Sequence, residues 1–282
     1  MKAIVWRKYG PPDVLELREV PKPSPKSNEL LIRICATTVT SGDTRLRNLE
    51  FPLSVVFGLM FALKGGRALG HELAGVVEAV GTDVELFSAG DSVFASTGFP
   101  GGAYAEYICL AEDVMIARKP ENLTYEEAAA VPIGGNTALY LLKQADIQPG
   151  QKVLVYGASG SVGTYALQLA RHVGAEVTGV CSAANLDLVT SQGAKVVIDY
   201  TQEDFARSGE IYDVIFDAVG KTSDAHSRAA LATNGVFLSV KGSTKESTEN
   251  LVFLKELIET GKMRPVIDRR YPLEQVAEAH RY

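Results

Sequence analysis

The chain has 282 residues, 46% of them hydrophobic and 22% charged, with a net charge of −6. This is an ordinary soluble globular composition, and the length favours two domains over one. An acidic balance without a basic run or arginine cluster argues against nucleic acid as the main partner.

The opening MKAIVWRKYGPPD reads as a short strand running into a Pro-Pro turn, not as a signal peptide. From residue 1 to 120, short β-like runs such as 30–36, 75–80 and 91–95 stand between Gly, Pro, Asn and Asp, which predicts a mostly β domain. The longest nearly apolar run, FPLSVVFGLMFAL at 51–63, is too short and too proline-broken to span a bilayer, so no membrane span is expected. It reads equally as core and as an apolar lid over a substrate. Cys35, Cys109 and Cys181 lie far apart, lack zinc-ligand spacing and are odd in number. They point to a reducing compartment, most simply the cytoplasm.

After Pro120 the texture changes. Thr124 is placed as a helix N-cap with Glu127 at the capping-box position. VLVYG, a helix to 172, EVTGVC, a helix to 192, KVVIDY, YDVIFDAVG and GVFLSV follow. Alternating strands and helices, with strands apolar on both faces, predict a parallel sheet covered by helices. Two further helices, 251–261 and 273–282, flank VID.

The most informative stretch is VLVYGASGSVGTYALQLAR at 153–171. It places Ala158-x-Gly160-x-x-Gly163, preceded by Gly157, between a strand and an amphipathic helix. Gly160 would let the backbone approach a pyrophosphate, Gly163 would let helix pack on strand, and the helix N-terminus would offer its unpaired N–H groups. In that context the turn reads as a dinucleotide site. The next strand ends Thr178-Gly-Val-Cys-Ser-Ala-Ala-Asn185 with no acid before Asp187. NAD sites place an acid there for the ribose 2′-OH, whereas Ser182 and Asn185 would tolerate a 2′-phosphate, so NADPH is the expected cofactor. Ser182 and Asn185 could equally cap the following helix.

With both halves in view, the chain resembles the medium-chain dehydrogenase/reductase superfamily, within it the zinc-independent quinone oxidoreductases, including the reticulon-interacting mitochondrial type. The resemblance rests on MKAIVWRKYGPPDVLELREVPKP at the start, LGHELAGVVEAVG at 69–81, GDSVFAS at 90–96, GGAYAEY at 101–107, AAAVPIGGNTALY at 128–140, GASGSVGTYALQLAR, KVVIDYT, VIFDAVG and the closing YPLEQVAEAHRY. It implies an α/β protein: a GroES-like β domain (1–120, with 262–282 returning to it) and a Rossmann doubly wound parallel-sheet domain (121–261), with substrate and nicotinamide meeting between them.

Zinc alcohol dehydrogenases of this superfamily hold catalytic zinc with an early cysteine, the His of a GHE motif and a later cysteine or acid. Gly70-His71-Glu72 is present here, but the early position falls on Thr40 and the later one within Pro132-Ile-Gly-Gly-Asn136. The four-cysteine structural-zinc lobe is also missing. Three ligands are needed at a catalytic site and four at a structural one, so the reading is an enzyme without metal, with His71 and Glu72 as structural hydrogen-bonding groups. Such an enzyme suits a conjugated carbonyl: hydride adds to a quinone or to the β-carbon of an enone, and the charge delocalises.

Thr40, Ser41 and Thr137 carry over by position as candidate donors to the substrate carbonyl, although the family commonly has Asn where Thr40 stands. Asp43 reads as a loop stabiliser, and Tyr104 and Tyr107 as core aromatics. Gly160, Ser161 and Val162 fall on the pyrophosphate, Ser182 and Asn185 near the 2′-phosphate, Tyr200 on the adenosine half, and Val219, Val240 and Gly242 on the nicotinamide side. Relatives often have Lys or Arg where Asn185 stands. They also carry a longer loop and an edge strand after SVKG, through which Rossmann domains pair into homodimers, and a closing strand beyond HRY. Here Gly242 runs almost at once into Ser243-Thr-Lys-Glu-Ser247, which reads as a gap in the sequence rather than a loss. The expected activity is NADPH-dependent reduction of a small hydrophobic quinone or α,β-unsaturated carbonyl. Enoyl-thioester reduction, or a non-catalytic NADPH-binding sensor or scaffold, are the alternatives.

Overall fold

Period-two alternation builds the first half of the molecule. Leu30 and Ile32, Leu73 and Val77, and Val93 and Ala95 each send alternate side chains into one core, which Leu110 and Ile116 complete. The strands are β1 (Lys2–Val5), β2 (Glu16–Glu19), β3 (Glu29–Thr37), β4 (Glu72–Val80), β5 (Ser92–Ser96), β6 (Tyr107–Ala111) and β7 (Ile116–Arg118). β1 and β2 form an antiparallel pair, and the rest form a five-stranded antiparallel sheet in the order β6-β3-β4-β5-β7. This computed structural model describes residues 1–48, 69–98 and 101–282. The apolar run 51–63 lies outside the described residues, so its reading as core or lid is not tested.

The chain divides into two units, 1–132 with 267–282, and 133–266. In the first, helix α1 (Ser41–Arg47) follows β3, and α2 (Tyr125–Ala129) packs on β3 and β4. Both members of the Thr124–Glu127 capping box are formed, with Glu127 N donating to Thr124 Oγ1 at 3.2 Å and Thr124 N to Glu127 Oε2 at 3.0 Å. A short C-terminal helix (Val276–Arg281) places Val276 against Trp6 and Tyr104.

The second unit opens with α3 (Pro132–Leu142) and carries a parallel sheet of β8 (Lys152–Tyr156), β9 (Glu176–Cys181), β10 (Val196–Asp199), β11 (Tyr212–Asp217) and β12 (Leu231–Ser239). Their order is β10-β9-β8-β11-β12, so the chain starts in the middle and winds outward both ways. Val153, Leu154 and Val155 of β8 are all at 0% exposure, the signature of a strand covered on both faces. Helices α4 (Ser161–His172), α5 (Leu186–Ser191), α6 (Asp224–Ser227) and α7 (Thr248–Glu259) complete it. The last begins earlier than the apolar pattern suggests because Ser247 caps it, accepting from Asn250 N at 3.2 Å. Residues 266–268 and the approach to the C-terminal helix are irregular. Among the described residues no helix is long and apolar enough to cross a membrane.

Candidate functional site

The glycine turn joins β8 to α4 as the spacing predicts. Gly157 has φ +80°, and a Cβ there would stand 2.5 Å from Val219 Cγ1, so Val219, at the end of β11, already touches the turn. Ala158 is fully buried, and its N–H and that of Gly157 both bond Val180 O at 3.0 Å. At Gly163 a Cβ would overlap the carbonyl oxygen of Gly157: helix and strand meet too closely for any side chain. Gly160 is different. Its φ of −79° suits any residue, and a Cβ would have only Gly157 O at 3.5 Å, an ordinary contact. Among the described residues nothing requires glycine at 160, whereas a phosphate lying on the backbone would.

No side chain caps α4, so the N–H groups of Ser161, Val162 and Gly163 in its first turn have no intrahelical partner. Ser161 is exposed and Val162 half-buried. Amide donors and the positive end of a twelve-residue helix thus meet beside an open backbone, which fits a dinucleotide pyrophosphate. The N-terminal part of α3 lies against the same place, because a Cβ on Gly134 would overlap Ser161 Oγ. Thr137, half-buried, is one turn further along α3.

The ribose end is built by β9 and β10. Ser182 and Asn185 bond each other, Asn185 Nδ2 donating to Ser182 Oγ at 3.2 Å, and neither side chain caps the helix that follows. Tyr200 is 54% exposed just past β10, and its N–H bonds Cys181 O at 3.1 Å, which sets it beside the end of β9. At the ends of β11 and β12, Asp217 acts as an anchor that the motif reading missed. Fully buried, it accepts from Val219 N at 3.2 Å, Gly220 N at 2.9 Å, Lys221 N at 3.3 Å and Thr222 N at 3.2 Å. Its backbone carbonyl takes Val240 N at 3.1 Å, and Gly242 N bonds Ser239 O at 3.0 Å. Val219, Val240 and Gly242 are therefore held by one carboxylate and its strand neighbours. An acid ending an otherwise apolar strand was the available signal.

In the first unit Thr40 is the N-cap of α1, in a capping box with Asp43. Asp43 N donates to Thr40 Oγ1 at 3.1 Å, while Thr40 Oγ1 and N donate to Asp43 Oδ2 at 2.6 and 2.9 Å. The hydroxyl is thus committed in both directions. Ser41, exposed, is the first residue of the helix. Asp43 Oδ1 accepts from Gly70 N at 2.9 Å and pairs with His71 Nδ1 at 2.7 Å. Burial pushes the Asp43 carboxyl up, but hydrogen bonds from His71 and Thr40 prevail and hold it below its ordinary value. Glu72, buried, accepts from Thr38 Oγ1, and its carbonyl takes Thr37 Oγ1 at 2.7 Å. Among the described residues no group of three His, Cys, Asp or Glu side chains is placed to hold a metal.

A second buried cluster lies behind this loop. Arg47 Nε donates to His280 Nδ1 at 3.2 Å, and His280 Nε2 meets Tyr104 OH at 3.1 Å. Tyr104 is therefore more than core packing, while Tyr107 sits in β6 under the Lys22 ammonium, 3.8 Å from its ring centre.

The alcohol dehydrogenase GroES-like domain model matches residues 26–121, and the zinc-binding dehydrogenase model matches residues 161–264. An NADPH-dependent alkenal/one oxidoreductase of Arabidopsis thaliana chloroplasts is 32% identical over 308 residues, covering 100% of this chain and 76% of that protein. A quinone oxidoreductase of Pseudomonas aeruginosa is 32% identical over 318 residues, covering 99% of this chain and 94% of the relative. The solved quinone oxidoreductase of Coxiella burnetii superposes with a TM-score of 0.84 at 29% identity, covering 100% of this chain and 94% of that one.

Proposed function

The chain belongs to the medium-chain dehydrogenase/reductase superfamily, in its quinone oxidoreductase branch, and on that premise we propose that it is an NADPH-dependent reductase of quinones or α,β-unsaturated carbonyls that works without metal. The observation that carries the reading is Gly160: a backbone left open at the uncapped start of α4, with no packing reason for glycine. NADPH bound there would supply the hydride. Ser161, Val162 and Gly163 would hold its pyrophosphate through their amides, Ser182 and Asn185 would meet the 2′-phosphate, and Tyr200 would cover the adenosine half. Val219, Val240 and Gly242, braced by Asp217, would set the nicotinamide end. Names of relatives support the substrate class, one being an alkenal/one oxidoreductase and another a quinone oxidoreductase.

Independence from metal is supported by the commitment of Asp43, His71 and Glu72 to protein partners and by Thr40 at the position of a thiolate ligand. The three cysteines form no disulfide, which supports a reducing compartment such as the cytoplasm. The test is the rate of NADPH oxidation with an ortho-quinone and with a simple enone, set against NADH, with and without chelator. Chelator-insensitive turnover favouring NADPH is expected. Tight NADPH binding without turnover would transfer the reading to a sensor or scaffold, and chelator-sensitive turnover would overturn the metal-free mechanism.

A further inference from the structure

A nicotinamide dinucleotide brings a negative charge on each phosphate of its pyrophosphate. Ser161, Val162, Gly163, Ser182, Asn185 and Tyr200, the residues set around it above, include no cation. The start of α4 answers with amide donors and a dipole end worth roughly half an elementary charge, in a chain whose own net charge is −6. A cationic side chain at the carboxyl edge of the parallel sheet would supply the difference. Several lysines of the second unit are already engaged: Lys152 pairs with Glu210 at 2.7 Å, Lys195 with Glu176 at 3.2 Å and Lys255 with Glu259 at 3.1 Å, and Lys143 donates to Asn250 Oδ1 at 2.7 Å. Lys241, just past the end of β12, is not. Its backbone N–H bonds Ser239 Oγ at 3.3 Å, and among the described residues its ammonium has no hydrogen-bond or ion-pair partner.

What sets Lys241 apart from the other exposed lysines is the path of its stem. A Cβ on Gly220 would stand 3.3 Å from both Cγ and Cε of Lys241 and 3.8 Å from Cδ, so the stem lies across Gly220, whose φ is +71°. Gly220 follows Val219, the residue that already touches Gly157 in the glycine turn, and Asp217 Oδ1 fixes both through their N–H groups at 3.2 and 2.9 Å. The ammonium, one bond beyond Cε, is thus carried from β12 back over the end of β11. In the order β10-β9-β8-β11-β12, β11 is the neighbour of β8 and its turn, about 5 Å away. The end of β9, where Ser182 and Asn185 stand, is on the far side of β8, about 10 Å away. A stem already laid on backbone has lost part of its rotamer freedom before any ligand arrives.

We propose that Lys241 is the cation of the dinucleotide site: its ammonium meets the pyrophosphate from the nicotinamide side and takes no part in the choice between NADPH and NADH. The proposal rests on the reading of a dinucleotide at the glycine turn. It lies wholly within the second unit and is independent of the acceptor.

The test is Lys241→Met, which keeps an unbranched stem on Gly220 and removes the charge, with dissociation constants for NADPH and NADH measured by calorimetry. Both should weaken alike, each about tenfold, leaving their ratio unchanged. Lys241→Arg should retain most of the affinity, and rising salt should weaken NADPH binding to the wild type more steeply than to Lys241→Met. Lys262→Gln removes the same charge beyond the other end of α7, a helix about 18 Å long, and should change neither constant. Unchanged affinity in Lys241→Met, a loss confined to NADPH, no rescue by arginine, or an equal loss in Lys262→Gln overturns the assignment while leaving the cofactor reading intact. A wild type that binds neither dinucleotide overturns both.

Discussion

His280 should make the first unit sensitive to mild acid, by an amount that follows from its surroundings. It is 7% exposed, and its Nδ1 accepts from Arg47, so its one proton sits on Nε2 against Tyr104 OH. A second proton would face a guanidinium in the interior. Burial, and after it the Arg47 charge, lower the pKa from 6.5 to about 4, although Asp43 pulls the other way. The unfolded chain accepts the proton that the folded chain refuses. The contribution is therefore complete above pH 6.5 and is lost as pH falls toward 4. The gap corresponds to about 3 kcal/mol. His280→Gln should remove it, because an amide can accept from Arg47 and donate to Tyr104 without titrating. Urea unfolding can be followed through Trp6, the only tryptophan, which packs in the same cluster as Tyr104. The stability difference between wild type and variant should shrink by about 3 kcal/mol between neutral pH and the lower limit of that window. A difference that stays constant with pH would refute the neutral, buried ring.

The glycine turn predicts opposite outcomes for two alanines. Gly160→Ala should leave the thermal midpoint almost unchanged yet weaken NADPH binding at least tenfold, whereas Gly163→Ala should cost about 1–3 kcal/mol of stability because its Cβ overlaps Gly157 O; calorimetry with and without NADPH separates the two. Asp217→Asn exchanges an acceptor-only carboxylate for an amide facing four N–H groups, and should cost about 1–3 kcal/mol while loosening Val219 against Gly157. Ser182→Asp should invert the cofactor preference, because a carboxylate at the end of β9 repels a 2′-phosphate and accepts from a ribose hydroxyl; the ratio of dissociation constants for NADPH and NADH reads it directly.

Local chemistry made some of this readable in advance. The β8–α4 turn, the Thr124–Glu127 box and the parallel core of β8 depend on residues within a few positions of one another, so spacing alone conveys them. By the same grammar Thr40-x-x-Asp43 is a capping box, yet family likeness had drawn Thr40 toward substrate chemistry, where the structure gives its hydroxyl another partner. The Arg47–His280 bond joins residues 233 positions apart, and no periodicity encodes it. Asp217 lay between the two cases: its charge at the end of VIFD was visible, but the turn of amides it collects becomes visible only once the chain has folded back over it.

These cases separate what the fold needs from what a ligand needs. Gly157, Gly163 and Gly134 each have a protein neighbour that a side chain would strike, so each is explained by packing and would be glycine in a protein that bound nothing. Thr40, Asp43 and Asp217 are likewise accounted for by the bonds they make within the chain. Among the described residues, Gly160 and the uncapped amides behind it have no such account. Residues whose identity the interior does not explain are those on which a cofactor or substrate should act. The Gly160→Ala measurement therefore tests this argument directly: NADPH binding should weaken while the fold stands.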